Sequence, residues 1–95
     1  MADLVMDLSA VDARRDGSRI LVDASGELAN SRDEAYVEVT QHSDSADVFV
    51  RVRSAGGFGT QMTGRFSAQA VLSSALGVRT VRVHARSGVT TVQVE

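Results

Sequence analysis

The feature that most constrains this chain is a period-two alternation of aliphatic and polar residues that returns segment after segment. In the closing stretch GVRTVRVHARSGVTTVQVE (Gly77–Glu95), Val81, Val83 and Ala85 alternate with Thr80, Arg82 and His84. Val92 and Val94 then alternate with Thr91, Gln93 and Glu95. Successive side chains on a strand point to opposite faces, so each such run reads as a half-buried strand. The same rhythm appears upstream. Leu4, Met6 and Leu8 share a face; Ile20, Val22 and Ala24 oppose Leu21 and Asp23. Val37 and Val39 oppose Tyr36, Glu38 and Thr40, and Val48, Val50 and Val52 oppose Asp47, Phe49, Arg51 and Arg53. Between these runs stand RRDGSR, QHSDSAD, SAGGFGTQ and RSG, all rich in turn formers. Asp16-Gly17 and Ser87-Gly88 suit hairpin turns that need positive φ. Short strands broken about every ten residues predict an all-β antiparallel sandwich or small barrel.

One segment supports two readings. GRFSAQAVLSSALGV (Gly64–Val78) alternates as a strand, with Phe66, Ala68, Ala70 and Leu72 on one face. It also reads as a short helix over 67–76, with Ser67 as N-cap, Ala68, Val71, Leu72, Ala75 and Leu76 in the apolar stripe and Gly77 as C-cap. The surrounding pattern favours the strand. The chain has no proline, a residue that commonly blunts edge strands. Its edges must be guarded by charge or paired with another chain.

Ninety-five residues, 43% of them hydrophobic, suit one domain over 1–95 with a single core. Aromatics are scarce, so Val, Ala and Leu must fill that core. Without cysteine there is no disulfide, thiolate metal site or cysteine nucleophile. Asp3 and Asp7 interrupt the only apolar patch near the start, which is not a secretory leader. No run approaches the ~18 apolar residues of a membrane helix. The expectation is a chain made in the cytoplasm without a signal peptide and not inserted in a membrane. Net charge is −2, but residues 1–47 hold eleven acids and four arginines, and residues 48–95 one acid and six arginines. All ten basic side chains are arginine, a planar multi-donor group suited to interfaces.

Residues 64–95 resemble the end of bacterial immunoglobulin-like (Ig-like) domains. Gly64, Phe66, Leu72, Gly77, Val81, Val83, Ala85, Gly88, Val92 and Val94 take the places of that pattern. Arg86-Ser87-Gly88-Val89 departs from it where Asp and Asn are common, and SSAL before Gly77 is longer than usual. The resemblance implies a small antiparallel Ig-like β-sandwich serving as a spacer, adhesion or assembly module. It implies no catalytic, metal-binding or cofactor residue.

Few constellations carry chemistry. His42 lies in a polar loop, and His84 faces outward if Val81 and Val83 face in. No Gly-x-Ser-x-Gly elbow accompanies them. The acids of SRDE and SDSAD would suit calcium but lack EF-hand spacing. The stretch RVRSAGGFGTQMTGR (Arg51–Arg65) displays Phe58 on a glycine loop flanked by Arg51, Arg53 and Arg65. It lacks a Walker ending, so it reads as a contact loop, with nucleic acid as the other ligand its chemistry suits. Arg82, His84 and Arg86 form a second basic stripe that could meet acidic residues of a partner or another copy.

The expectation is therefore a non-enzymatic structural or protein-interaction module, contacting a protein partner or copies of itself through Arg51, Arg53, Phe58, Arg65, Arg82, His84 and Arg86. An assembly component such as a phage capsid decoration or other virion surface protein fits it. A secreted or cell-surface adhesion or carbohydrate-associated spacer is the alternative, followed by a nucleic-acid-binding domain using the Arg51–Arg65 loop. No cofactor or small-molecule substrate is expected.

Overall fold

The computed structural model describes residues 3–53, 63–73 and 77–94. It is all-β, with eight strands: β1 (Asp3–Leu4), β2 (Ala10–Asp16), β3 (Arg19–Leu28), β4 (Glu34–Gln41), β5 (Ser45–Arg53), β6 (Gly64–Leu72), β7 (Thr80–Ala85) and β8 (Gly88–Gln93). They form two sheets. One has the order β2-β3-β6 and is antiparallel throughout. The other is built around β5. Strand β4 runs along one side of β5. On the other side lie β7, parallel to Ser45–Phe49, and β1, antiparallel at Arg51 and Val52. Strand β8 closes that sheet as a hairpin on β7. The β5–β7 pair is the one parallel pairing among the described strands, where the alternation led us to expect antiparallel pairs alone.

The core lies between the sheets and follows the alternation. Ile20, Val22 and Ala24 of β3 meet Ala46, Val48 and Val50 of β5 and Val81, Val83 and Ala85 of β7. β-Branched valine suits a pleated, half-buried surface. Phe66, Ala70 and Leu72 of β6 complete the layer. Gly26 pairs with Phe66 across the β3–β6 ladder. A Cβ on Gly26 would stand 2.9 Å from the Phe66 ring and 2.6 Å from the Asp7 carbonyl oxygen, so only glycine lets the ring lie over β3.

The structure decides the segment with two readings for the strand that the pattern favoured, and it corrects three other expectations. Residues 67–72 are strand, not helix: β6 pairs with β3 over nine consecutive residues, and Val71, placed in the helical stripe, is 49% exposed. Residues 74–76 lie outside the described residues. Near the start, Val5 and not Met6 enters the core, held by its N–H donating to the Val50 carbonyl at 2.9 Å. Val39 is exposed, because β4 is an edge strand that buries Val37 only partly. The hairpin turns sit one residue off the expected dipeptides, at Gly17-Ser18 and Arg86-Ser87. Gly17 (φ 63°) and Gly88 (φ 143°) do take the positive φ that the turns demand.

Candidate functional site

The outward face of the β5 sheet concentrates the polar chemistry. Burying Val48 and Val50 forces Asp47, Phe49, Arg51 and Arg53 outward. The ladders then set their neighbours. Asp47 stands between Thr40 and Arg82, and Phe49 between Glu38 and His84. Arg51 faces Tyr36, and Arg53 faces Glu34.

Asp47 is the hub. Arg82 donates from Nε to Oδ1 at 2.8 Å and from Nη2 to Oδ2 at 3.1 Å, a bidentate clasp. The same Nη2 donates to Ser45 Oγ at 3.1 Å. His84 Nε2 reaches Oδ1 at 2.8 Å, and His42 Nε2, from the β4–β5 turn, reaches Oδ2 at 2.9 Å. A carboxylate only accepts, so both imidazoles carry a proton on Nε2. These four bonds fill the acceptor sites of the carboxylate. They leave its side chain 15% exposed. The Arg82 bonds first, then the bond from His84, hold the Asp47 carboxyl far below the usual carboxylate range. Burial opposes them, and His42 adds to the lowering. The Arg82 guanidinium is correspondingly raised by Asp47.

An aromatic and cationic surface extends from the hub along β5. The His84 ring stacks on Phe49 with centroids 4.4 Å apart and planes 18° apart. The Arg51 guanidinium lies 5.5 Å from the Phe49 ring centroid and is ion-paired to Glu38. The Arg53 guanidinium lies 4.9 Å from the Tyr36 ring. Each is within cation–π range.

The residues picked from the sequence therefore separate. Arg51, Arg53, Arg82 and His84 share this face. Arg65 lies on β6, in the other sheet, opposite Glu27. Arg86 is in the β7–β8 turn, where it bonds Asp3 Oδ2 at 3.1 Å. Phe58 lies outside the described residues. Within the chain, Asp47 stands against Arg82 and His84, Asp3 against Arg86, and Glu38 against Arg51. Asp47, Phe49 and Tyr36 were not singled out from the sequence, and His42 was read there only as a loop histidine. The one signal for them was alternation, which already put Asp47 and Phe49 on the face of Arg51.

The geometry opposes two chemistries. A serine–histidine–aspartate relay needs one imidazole to bridge carboxylate and hydroxyl through its two nitrogens. Here both histidines point Nε2 at Asp47, and among the described residues no hydroxyl bonds either Nδ1. A cation on Asp47 would have to displace the Arg82 guanidinium from both oxygens, and among the described residues no group of three or more carboxylate and imidazole side chains is arranged to hold one. Comparison with protein-family models, curated proteins and solved structures gives no match to this chain.

Proposed function

We propose that the chain is a non-enzymatic protein-interaction module whose contact face is the outer surface of β4, β5 and β7. The observation that carries this reading is the half-buried row of Tyr36, Arg51, Phe49 and His84, with the exposed Arg53 guanidinium over the Tyr36 ring, held in place by stacking and by the Asp47 clasp. Tyrosine, phenylalanine and arginine are the residues enriched at protein contacts. Rotamers fixed beforehand lower the entropy lost on docking. No observation favours the nucleic-acid reading, because most of the Arg51–Arg65 loop lies outside the described residues.

The Ig-like resemblance belongs to this proposal through its layout of two packed sheets. The parallel β5–β7 pair sets it apart from the antiparallel sheets of the immunoglobulin arrangement. A capsid decoration subunit and a cell-surface spacer are two forms such a module takes, and the identity of its partner separates them.

The test is site-specific photo-crosslinking in producing cells. A photoreactive residue at Tyr36 should give one discrete protein adduct, and the same residue at Gln69, on the other sheet's outer face, should give none. Equal adduct patterns from both positions, or no adduct from Tyr36, would refute the reading.

A further inference from the structure

Strand β8 has an edge that no described strand covers. Strand β7 pairs with it on the opposite side. Free edges template strand addition, so folded proteins protect them with charge, proline or bulges. The other outer strands are protected: β2 carries Asp12, Arg14, Arg15 and Asp16, β4 carries Glu34 and Glu38, and β6 carries Arg65. Strand β8 reads GVTTVQ, without charge or proline, and all of it but Val92 is exposed. A recess of about 440 Å³, lined by Asp12, Ala13, Arg14, Val92 and Gln93, opens between this edge and β2.

The hairpin sets the phase of the edge. Carrying the Thr80–Gln93 register one residue further puts Arg79 opposite Val94, and the Val94 N–H donates to the Arg79 carbonyl at 2.9 Å. Hydrogen-bonded and non-hydrogen-bonded pairs alternate along an antiparallel ladder. Gly88, Thr90 and Val92 therefore turn their backbone groups toward β7. Val89, Thr91 and Gln93 turn theirs toward the free edge.

We propose that β8 pairs with itself: a second copy of this chain adds its own β8 antiparallel, about a twofold axis at Thr91. Thr91 then stands opposite the Thr91 of the copy, and Val89 opposite the copy's Gln93. This axis matches all three edge-facing residues at once, each matched pair exchanging two N–H···O=C bonds. An axis one residue away matches two and sends the third into the turn or past the strand. The occupant follows from the charge. A neutral edge has nothing to select a charged partner strand, whereas it meets itself with no like charges opposite and with a favourable Thr–Thr pair. The nearest like charges in the row, Arg82 and its copy, are three strand spacings apart, about 14 Å. That exceeds the screening length, and each is already clasped by Asp47. The pairing uses the β8 edge and not the outer face of β5, so it stands or falls apart from the function proposed above.

Light scattering on the pure protein at about 100 μM should return twice the 10.1 kDa protomer mass. Thr91→Lys places two ammonium groups at the axis. It should raise the dimer dissociation constant at least ~10-fold while leaving the circular dichroism spectrum unchanged. Because the chain has no cysteine, register can be read directly. Thr91→Cys should cross-link to itself on mild oxidation, since opposed Cα atoms about 5.5 Å apart lie within disulfide reach. Val89→Cys should not, but should cross-link to Gln93→Cys in a mixture. A wild-type protein that keeps the protomer mass up to about 1 mM, or Val89→Cys cross-linking as fast as Thr91→Cys, would overturn the proposal. So would a dimer that survives Thr91→Lys and is lost with Arg51→Glu.

Discussion

Each sheet turns an aspartate outward at its middle, and the two aspartates differ. On the β2-β3-β6 face, Asp23 accepts from Arg14 and from Gln69 Nε2 at 2.9 Å and remains 37% exposed. On the β5 face, Asp47 accepts from Arg82, His84 and His42 and is 15% exposed. Asp23 sits among Arg14, Leu21, Gln69 and the exposed Val71, an ordinary solvated sheet surface with no aromatic ring. Asp47 sits beside a stacked Phe49–His84 pair. The difference comes from the neighbouring strand. The parallel β7 brings Arg82 level with Asp47 and His84 level with Phe49, so ring and guanidinium cover the carboxylate. Ion pairs open to water contribute little, and hydrogen bonds to a covered charge contribute more. One face is therefore a surface, and the other is a built structure.

The largest effect should come from moving a carboxylate to the inner side of β7. Val83 is fully buried one residue from Arg82. Val83→Asp should abolish the folded state in urea titrations followed by circular dichroism, costing more than about 4 kcal/mol. Val92→Asp on the half-covered β8 should cost visibly less. A folded Val83→Asp would mean the two faces are assigned backwards.

Removing the hubs compares the faces directly. Asp47→Ala strips the partner from Arg82, His84 and His42 and should cost about 2 kcal/mol, allowing for residual solvent screening. Asp23→Ala should cost under about 0.5 kcal/mol. Equal losses would erase the distinction between the faces. Next in size, Phe49→Ala removes the surface on which His84 stacks and should cost about 1 kcal/mol. Val71→Ala, at a similar outward position on β6, should be nearly silent. Chemical-denaturation midpoints measure all four variants.

How far the sequence foretold this contrast depends on the range of the interaction. Alternation is local, and it correctly placed Ile20, Val22, Ala24, Val48, Val50, Val81, Val83 and Ala85 inside. It also sent Asp47, Phe49, Arg82 and His84 outward. It could not show that Asp47 meets Arg82, because that depends on β5 lying parallel to β7 across more than thirty residues of chain. Nothing local specifies a parallel neighbour. The same gap explains Arg65: it was read as flanking one loop with Arg51 and Arg53, and alternation could not show that the chain changes sheets between them. Near the start, alternation put Leu4, Met6 and Leu8 on one face and passed over Val5. The outcome turned on register against β5, which a two-residue strand does not announce.

The smallest and most discriminating test is acid titration. Both aspartates are held below their ordinary value, Asp47 by Arg82 first and Asp23 by Arg14 first. A carboxyl depressed in the folded state adds stability that is fully present above its unfolded value, about pH 4. That stability is lost as pH falls through the folded value. Folding stability measured from pH 5 downward should therefore decline in the wild type. Asp47→Asn cannot lose a charge it does not carry, so its curve should be lower at pH 5 and flatter below it, converging on the wild type in acid. Asp23→Asn should nearly overlay the wild type throughout, because water already screens that pair. If Asp23→Asn flattened the curve as much as Asp47→Asn, the exposed pair would hold its charge as firmly as the covered one. The aromatic wall beside Asp47 would then have no electrostatic consequence.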